Sequence, residues 1–206
     1  MLFRSHIGGM DDVITAYSSE VDYIMLSEEE GTTATYRSVV EAADSSSAEQ
    51  LTPKAGETYT LGDATWQILS CDTDMPDLNE SSIVIKLTYG NTSFLFTGDA
   101  TMNTEQGLEM SGYDLKSDVL KVGHHGSAGS TADSFLDAVA PEIAVISVDS
   151  ESDMGEMYHH PATSTLQRLS QHGIKVYRTD ELGTIRITSD GEKLAVSAFA
   201  TSTDGT

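Results

Sequence analysis

The chain has 206 residues, of which 38% are hydrophobic and 21% are charged, a composition typical of a globular protein and not of a disordered one. Its net charge of -22 disfavours a broad nucleic-acid interface, although bound metal ions can still hold a phosphate ester. No apolar run is long enough to span a membrane, the first residues do not resemble a signal peptide, and the single cysteine, Cys71, excludes an internal disulfide.

The amino-terminal quarter of the chain alternates helical and extended patterns. Apolar spacing predicts a helix over 11–17, a strand over 21–26 and a second helix over 33–43. The acidic run 28–30 is predicted to be a solvated loop.

Two glycine-containing dipeptides in the middle of the chain predict β-hairpins. Gly62-Asp63 and Gly90-Asn91 each separate two runs rich in β-branched and aromatic residues, which is the pattern of a tight two-residue turn. The predicted strands are 57–61, 65–69, 82–89 and 93–97.

The carboxyl-terminal half alternates strand-like and helix-like segments. Hairpins followed by β/α units predict an α/β (α+β) chain in which two sheets are covered by helices. We expect a single domain over 1–200 and a flexible tail over 201–206. The predicted strands are 118–122, 143–148, 174–178, 183–188 and 193–198, and the predicted helices are 131–138 and 164–172.

Metal-ligand side chains follow three successive predicted strands. Asp99 follows SFLFT, His124 and His125 follow DVLKV, and His160 comes after IAVISV and the acidic loop 149–156. In α/β folds, clefts form at the carboxyl ends of parallel strands. Imidazole and carboxylate ligands together suit zinc, manganese or iron. The sequence therefore predicts a metal site at this edge of the sheet.

In this order, these segments resemble the metallo-β-lactamase fold. Within that fold, they resemble the hydrolase domain of the ComEC-type competence proteins and its free-standing relatives. The resemblance runs from His6 to about Ile187. It is carried by NESSIVIKLTYGNTSFLFTGDA, DVLKVGHHGS, YHHP and VYRTDELGTI. It implies a four-layer αβ/βα sandwich with zinc or manganese at one edge, and hydrolysis of a phosphodiester or nucleic-acid strand by a metal-bound hydroxide.

The resemblance also implies a role for individual residues. Asp99 matches the aspartate that bridges the metals, and His160 matches the last histidine ligand. One histidine of the HHGS pair would be a ligand and the other a neighbour or substrate contact, and His124 is favoured as the ligand. The implied set is Asp99 and His125 as catalytic residues, His6, Asp99, His124 and His160 as metal ligands, and Ser127 and Ser130 as substrate contacts.

The chain departs from the family in its first motif. That motif is H-x-H-x-D-H followed by Ile-Gly-Gly, and here only its last histidine is kept, as His6, with Ser5 in place of the aspartate. The strands that would precede it are also missing, so we expect an amino-terminally truncated domain: a gene fragment, a misassigned start or a deliberately shortened chain. The remaining ligands predict one bound ion or none.

Two functions of different classes remain open from the sequence. The first is a metal-dependent hydrolase that acts on a small-molecule or phosphodiester substrate, with nucleic acid disfavoured by the charge. The second is a catalytically impaired remnant or binding module on the same fold. A secreted or surface interaction protein is a third, weaker alternative that only the acidic charge favours. The sequence leaves the location open between the cytoplasm and the outside of a bacterial cell.

Overall fold

A computed structural model describes residues 4–27, 31, 33–73, 77, 79–149 and 159–199. The acidic loop 149–156 apart from Asp149, the acidic run 28–30 and the tail 201–206 lie outside these ranges. The predictions made for them, like the prediction of one domain over 1–200, therefore stay predictions.

The described part of the chain is a mixed α/β fold, which confirms the predicted class. The strands are β1 (Tyr23–Met25), β2 (Glu49–Leu51), β3 (Thr58–Leu61), β4 (Ala64–Ser70), β5 (Val84–Tyr89), β6 (Thr92–Phe96), β7 (Val119–Lys121), β8 (Ile143–Ile146), β9 (Lys175–Arg178), β10 (Thr184–Ser189) and β11 (Leu194–Phe199). The helices are α1 (Arg4–Ile7), α2 (Met10–Ala16), α3 (Ala34–Ser45), α4 (Met102–Met110), α5 (Asp133–Val139), α6 (Thr163–Gln171) and α7 (Thr179–Leu182).

A seven-stranded sheet in the order β3-β4-β5-β6-β7-β8-β9 forms the centre of the fold. Strands β3 to β6 are antiparallel neighbours, whereas β6 to β9 run parallel to one another. Two smaller sheets accompany it, the parallel pair β1-β2 and the hairpin β10-β11. The prediction of two sheets is thus replaced, in the described residues, by one large sheet and two small ones.

Both predicted hairpins of the middle region are present. In the first, Leu61 pairs with Ala64 across the Gly62-Asp63 turn. In the second, Tyr89 pairs with Thr92 across Gly90-Asn91, and Gly90 has a positive φ of 57°, which a residue without a Cβ adopts at little cost. These turns fix the register of β3 with β4 and of β5 with β6, and the second turn leads β6 toward the edge where Asp99 follows it.

Helices α4, α5 and α6 cover one face of the large sheet. Leu108 of α4, Phe135 of α5 and Leu169 of α6 are at most 2% exposed and pack in one cluster with Leu95 and Leu120 of the central strands. Burial of large apolar side chains of this kind contributes roughly 1.5–3 kcal/mol each. This core makes a rigid base for the loops that follow the parallel strands.

A second, smaller core lies among the first helices and the pair β1-β2. It contains Ile7 of α1, Ile14 of α2, Ile24 of β1 and Val39 of α3. Ile7 is only 8% exposed, so α1 is anchored by its own apolar residue. This anchor fixes the preceding residue, His6, in space.

Candidate metal centre

The parallel half of the large sheet brings three segments to one edge. Asp99 lies three residues beyond β6, the pair His124 and His125 follows β7, and Ser147 directly follows β8. Because β6, β7 and β8 are parallel neighbours, their carboxyl ends meet at the same place. This arrangement is consistent with the prediction that these side chains lie together at the carboxyl ends of the strands.

The histidine pair sits in a tight turn with unusual backbone angles. In the turn Gly123–Gly126, His124 (φ 47°) and His125 (φ 53°) are both left-handed, so the turn is not a regular helix. Left-handed backbone is uncommon for residues with a side chain, and strain of this kind concentrates at functional sites. The turn is anchored to the Asp99 loop because His124 N–H donates to Gly98 O at 3.1 Å.

Three side chains converge at this edge. His6 Nε2 lies 2.8 Å from Asp99 Oδ1 and forms a hydrogen bond with it, while His125 Nε2 lies 3.5 Å from the same oxygen. One ligand atom from each of His6, Asp99 and His125 lies within 4.8 Å of the other two. Asp99 is fully buried, whereas His6 and His125 each keep about a fifth of their side chain exposed. The group is therefore buried on the side of Asp99 and reachable by solvent on the side of the two histidines.

The tautomer of His125 indicates that this space suits a cation. Its Nδ1 lies 2.6 Å from the carbonyl oxygen of Ser147, which can only accept, so Nδ1 carries the proton. In the neutral ring Nε2 then presents a lone pair toward the Asp99 carboxylate. Among the described residues, neither His125 Nε2 nor Asp99 Oδ2 has a hydrogen-bond partner, although both are buried. A buried imidazole lone pair that lies 3.5 Å from a carboxylate oxygen is unfavourable unless a cation, either a proton or a metal ion, lies between them.

The ionisation of the group fits the same interpretation. Burial lowers the pKa of His125 below its ordinary value and outweighs the opposing effect of Asp99, which favours the neutral, metal-binding form of the ring. Burial alone would raise the pKa of Asp99, but the hydrogen bond with His6 and the nearby imidazoles together bring it below its ordinary value. The site thus contains an ionised carboxylate and a neutral imidazole, which are the protonation states that bind metal.

His124 and His160 form a second pair beside this group. Their ring centroids are 5.6 Å apart in an edge-to-face arrangement, and the peptide between His160 and Pro161 is cis. Burial, followed by the charge of His124, lowers the pKa of His160. The structure therefore brings His125, and not the favoured His124, into the group with His6 and Asp99. The roles of His124 and His160 as metal ligands remain predictions.

The two serines predicted to contact substrate occupy different environments. Ser127 is half-buried, and its Oγ accepts from Gly129 N–H at 3.3 Å. Ser130 is fully buried, and its Oγ donates to Gly123 O at 2.8 Å, beneath the histidine turn. Both predicted contacts remain predictions.

Residues behind the site were not identified from the sequence. Ser147 carries the carbonyl that orients His125, and Ser82 Oγ accepts from Asp99 N–H at 3.0 Å. Gly98 has a positive φ of 56°, and a Cβ there would lie 3.0 Å from Ser82, so this loop is tightly packed. The only available signal for Ser147 was its position at the end of β8, at the same sheet edge as Asp99.

The comparisons with known proteins identify the family. The family model for the metallo-beta-lactamase superfamily matches residues 6–150, and the chain belongs to this superfamily. The chain is 39% identical to ComE operon protein 3 of Bacillus subtilis (strain 168) over 134 residues, which are 65% of the chain and 17% of that protein. It is 40% identical to competence protein ComA of Neisseria gonorrhoeae over 111 residues, covering 53% of the chain and 16% of the relative. The predicted resemblance to competence proteins is confirmed.

A solved structure with the metallo-beta-lactamase fold resembles this chain. The structure of the metallo-beta-lactamase fold protein YhfI from Bacillus subtilis matches with a TM-score of 0.50 at 9% identity, covering 94% of this chain and 73% of that one. The chain spans less than a fifth of the length of the curated relatives that it matches. In the described part of the chain, no helix combines the length and apolar character that a membrane span requires.

Proposed function

We propose that the chain is a metal-dependent hydrolase directed at phosphodiester bonds, with one divalent cation held by His6, Asp99 and His125. The observation that carries the proposal is the buried His125 Nε2, whose lone pair faces the Asp99 carboxylate with no hydrogen-bond partner among the described residues. Three protein ligands and one open position are the usual arrangement of a catalytic zinc site. The exposed fraction of His6 and His125 leaves room for that open position.

The chemistry divides between the cation and the chain. When bound, zinc or manganese would supply an attacking hydroxide at neutral pH and polarise the scissile bond. The chain's own residues fix the geometry: Ser147 O holds the tautomer of His125, and Ser82 Oγ holds the Asp99 backbone. His124 and His160 lie beside the group, where they can contact a substrate or extend the ligand set.

The phosphodiester substrate class rests on the relatives and is limited by the charge. Competence protein ComA and a further relative, recombination protein 2 of Haemophilus influenzae, which is 34% identical over 123 residues (60% of this chain and 15% of that protein), support a nucleic-acid strand as substrate. A net charge of -22 repels polyanions at long range, so we expect a short strand or a small phosphodiester to be bound better than a long duplex. Added salt should then weaken this repulsion and improve the cleavage of longer strands.

The second candidate is a binding module on the same fold that does not hydrolyse its ligand. It is supported by the ligand count, because the described residues group only three ligand side chains and the family motif around His6 is reduced. Such a chain would bind one cation at the sheet edge and hold a phosphate ester without cleaving it.

Metal content and hydrolysis together test the proposal. Protein purified without chelator or affinity tag should contain about one equivalent of metal per chain and cleave bis(p-nitrophenyl) phosphate or a short single strand in added manganese or zinc. Asp99→Asn keeps the size of the side chain and removes its charge, so this variant should lose both properties. Metal without hydrolysis would favour the binding module, and a wild-type chain that takes up no metal would overturn the proposal.

A further inference from the structure

The loop that follows the histidine turn is held unusually tightly. Residues 127–132 connect the turn Gly123–Gly126 to helix α5 without forming regular structure of their own. Thr131 in this loop is left-handed, with a φ of 61°. A β-branched residue in that conformation is strained, and it persists only where its surroundings enforce it.

A buried carboxylate holds the loop from the side of α4. Glu105 is 1% exposed, and its two oxygens accept from the backbone N–H groups of Thr131 (2.5 Å) and Ala132 (2.9 Å). Ala132 is the N-cap of helix α5 and supplies no side-chain acceptor, and Glu105 binds the N–H groups of this residue and of the one before it, which lie just outside the helix. Burial raises the pKa of Glu105, and the two backbone donors partly oppose this effect.

A guanidinium group and a hydroxyl hold the same loop from the side of α6. Arg168 donates from Nε to Thr131 O at 2.7 Å and from Nη2 to Ser130 O at 2.8 Å. The same Nη2 donates to Thr165 Oγ1 at 3.0 Å, and this hydroxyl donates onward to Ser127 O at 2.8 Å. Carbonyl groups at both ends of the loop are therefore bound by one helix, while its last two N–H groups are bound by another.

The loop is in turn fastened to the histidine turn. Ser130 Oγ donates to Gly123 O at 2.8 Å, and Ser127 N–H donates to His124 O at 2.8 Å. Two successive left-handed histidines are held between this loop and the Asp99 loop. A displacement of the loop would therefore move His125 Nε2 relative to Asp99.

We propose that Glu105 and Arg168 are positioning residues of the candidate metal centre, which set its affinity for a divalent cation by holding the loop 127–132 against the strained His124-His125 turn. The inference rests on the metal-binding part of the proposed function and not on hydrolysis. Neither side chain belongs to the group of ligand atoms. Groups that hydrogen-bond directly to ligand side chains change metal affinity by about 10–100-fold when they are replaced, and Glu105 and Arg168, which act through the backbone of the loop, should lie near the lower end of that range.

Zinc affinity, measured by competition with a chromophoric chelator, tests the inference without an activity assay. Glu105→Gln and Arg168→Met should each weaken zinc binding by about tenfold or more. The absorption spectrum of cobalt bound in place of zinc should change in both variants, because the angle between His125 and Asp99 changes. The melting temperature of each metal-free variant is measured in parallel.

The matched control lies at the other end of strand β7. Asp118 Oδ2 accepts from Ser93 N–H at 2.7 Å and from Ser93 Oγ at 2.9 Å, so it is also a carboxylate that receives two hydrogen bonds. Asp118→Asn should lower the melting temperature while zinc affinity stays within about twofold. A parallel loss of zinc affinity in Asp118→Asn would show that any destabilisation weakens the site, and the inference would be overturned.

The remaining outcomes separate the inference from the proposed function. If the wild-type chain binds zinc and folded Glu105→Gln and Arg168→Met bind it equally well, the inference is wrong and the proposed function stands. If the wild-type chain binds neither zinc nor manganese, the proposed function fails and this inference fails with it. Should either variant not fold, Thr165→Val replaces it, because the change keeps the shape and removes only the hydroxyl between Arg168 and Ser127 O. Unchanged zinc binding in that variant would overturn the inference.

Discussion

The two ends of the parallel strands differ in whether the polar groups named below have hydrogen-bond partners. At the amino end, Asp118 is half-buried and receives the N–H and the hydroxyl of Ser93, so its Oδ2 is paired. At the carboxyl end, Asp99 Oδ2 and His125 Nε2 are buried without a hydrogen-bond partner in the described ranges of the chain. An unpaired buried polar atom costs about 1–3 kcal/mol.

This contrast separates what stabilises the sheet from what is available for binding. The amino end uses its polar side chains to join neighbouring strands, as Asp118 and Ser93 do. The carboxyl end retains strained backbone at His124 and His125 together with unpaired acceptors. The strained backbone and the unpaired acceptors at the carboxyl end are unfavourable. They can persist because the rest of the same strands is stably paired in the sheet.

The largest effect on stability is expected from adding a side chain where the carboxyl end of the parallel strands is tightly packed. Gly126 has a φ of 82°, and a Cβ there would lie 2.7 Å from Pro161 Cβ, so Gly126→Ala introduces both backbone strain and a clash. We expect a loss of about 2–5 kcal/mol in the free energy of unfolding, measured by urea denaturation.

Gly112 provides the matched control for that change. It has nearly the same φ, 80°, but a Cβ there would meet no atom within 4 Å. Gly112→Ala should therefore lose only the part of the free energy of unfolding that comes from backbone strain, about 1–2 kcal/mol. Equal losses in the two variants would show that the packing of Pro161 against the histidine turn contributes nothing.

A second prediction sharpens the difference between the two histidines of the turn. His125→Ala removes a member of the group with His6 and Asp99, so zinc affinity should fall by about 100-fold or more. His124→Ala leaves that group complete and should weaken zinc binding by less than about tenfold. Competition with a chromophoric chelator measures both. The reverse order would make His124 the ligand, as the sequence favours.

The sequence predicts most of the fold because local signals determine it. The turns at Gly62-Asp63 and Gly90-Asn91 fix two hairpins, and the β/α alternation after them predicts the parallel strands. Helix α4 is missed, since its buried positions include Thr104 and Glu105, which do not form an apolar stripe.

The site is predicted less completely, because it depends on features that residue types do not reveal. Asp99 and the histidine pair are found by their position after strands. The assignment between His124 and His125 depends on left-handed backbone and on the carbonyl of Ser147, neither of which the sequence shows. Glu105 and Arg168 lie in the middle of helices, where such residues are ordinarily solvent-exposed, so only the structure shows their contacts with the loop.

The smallest expected effect concerns Lys121, the last residue of β7, which lies at the carboxyl end of the strand. Its Nζ donates to Val122 O at 2.9 Å, and it lines an apolar cleft with Phe96, Val145 and Ile187. Burial lowers its pKa from 10.5 to about 8, although the charge of Asp99 opposes this. Since the fold disfavours the ammonium form, Lys121→Met should stabilise the protein by about 1 kcal/mol at pH 7.

The pH dependence gives this last prediction its direction. Between about pH 8 and pH 10.5 the unfolded chain still holds the Lys121 proton and the folded chain has released it, so wild-type stability should rise with pH in this window. The advantage of Lys121→Met should therefore shrink from pH 7 to pH 10 in urea denaturation. Lys54→Met, at an exposed position, removes the same charge from this acidic chain without the burial. If both variants behave alike, the effect comes from net charge. Burial at the carboxyl end of β7 would then be neutral for this lysine, and the contrast between paired and unpaired polar groups would be confined to Asp118, Asp99 and His125.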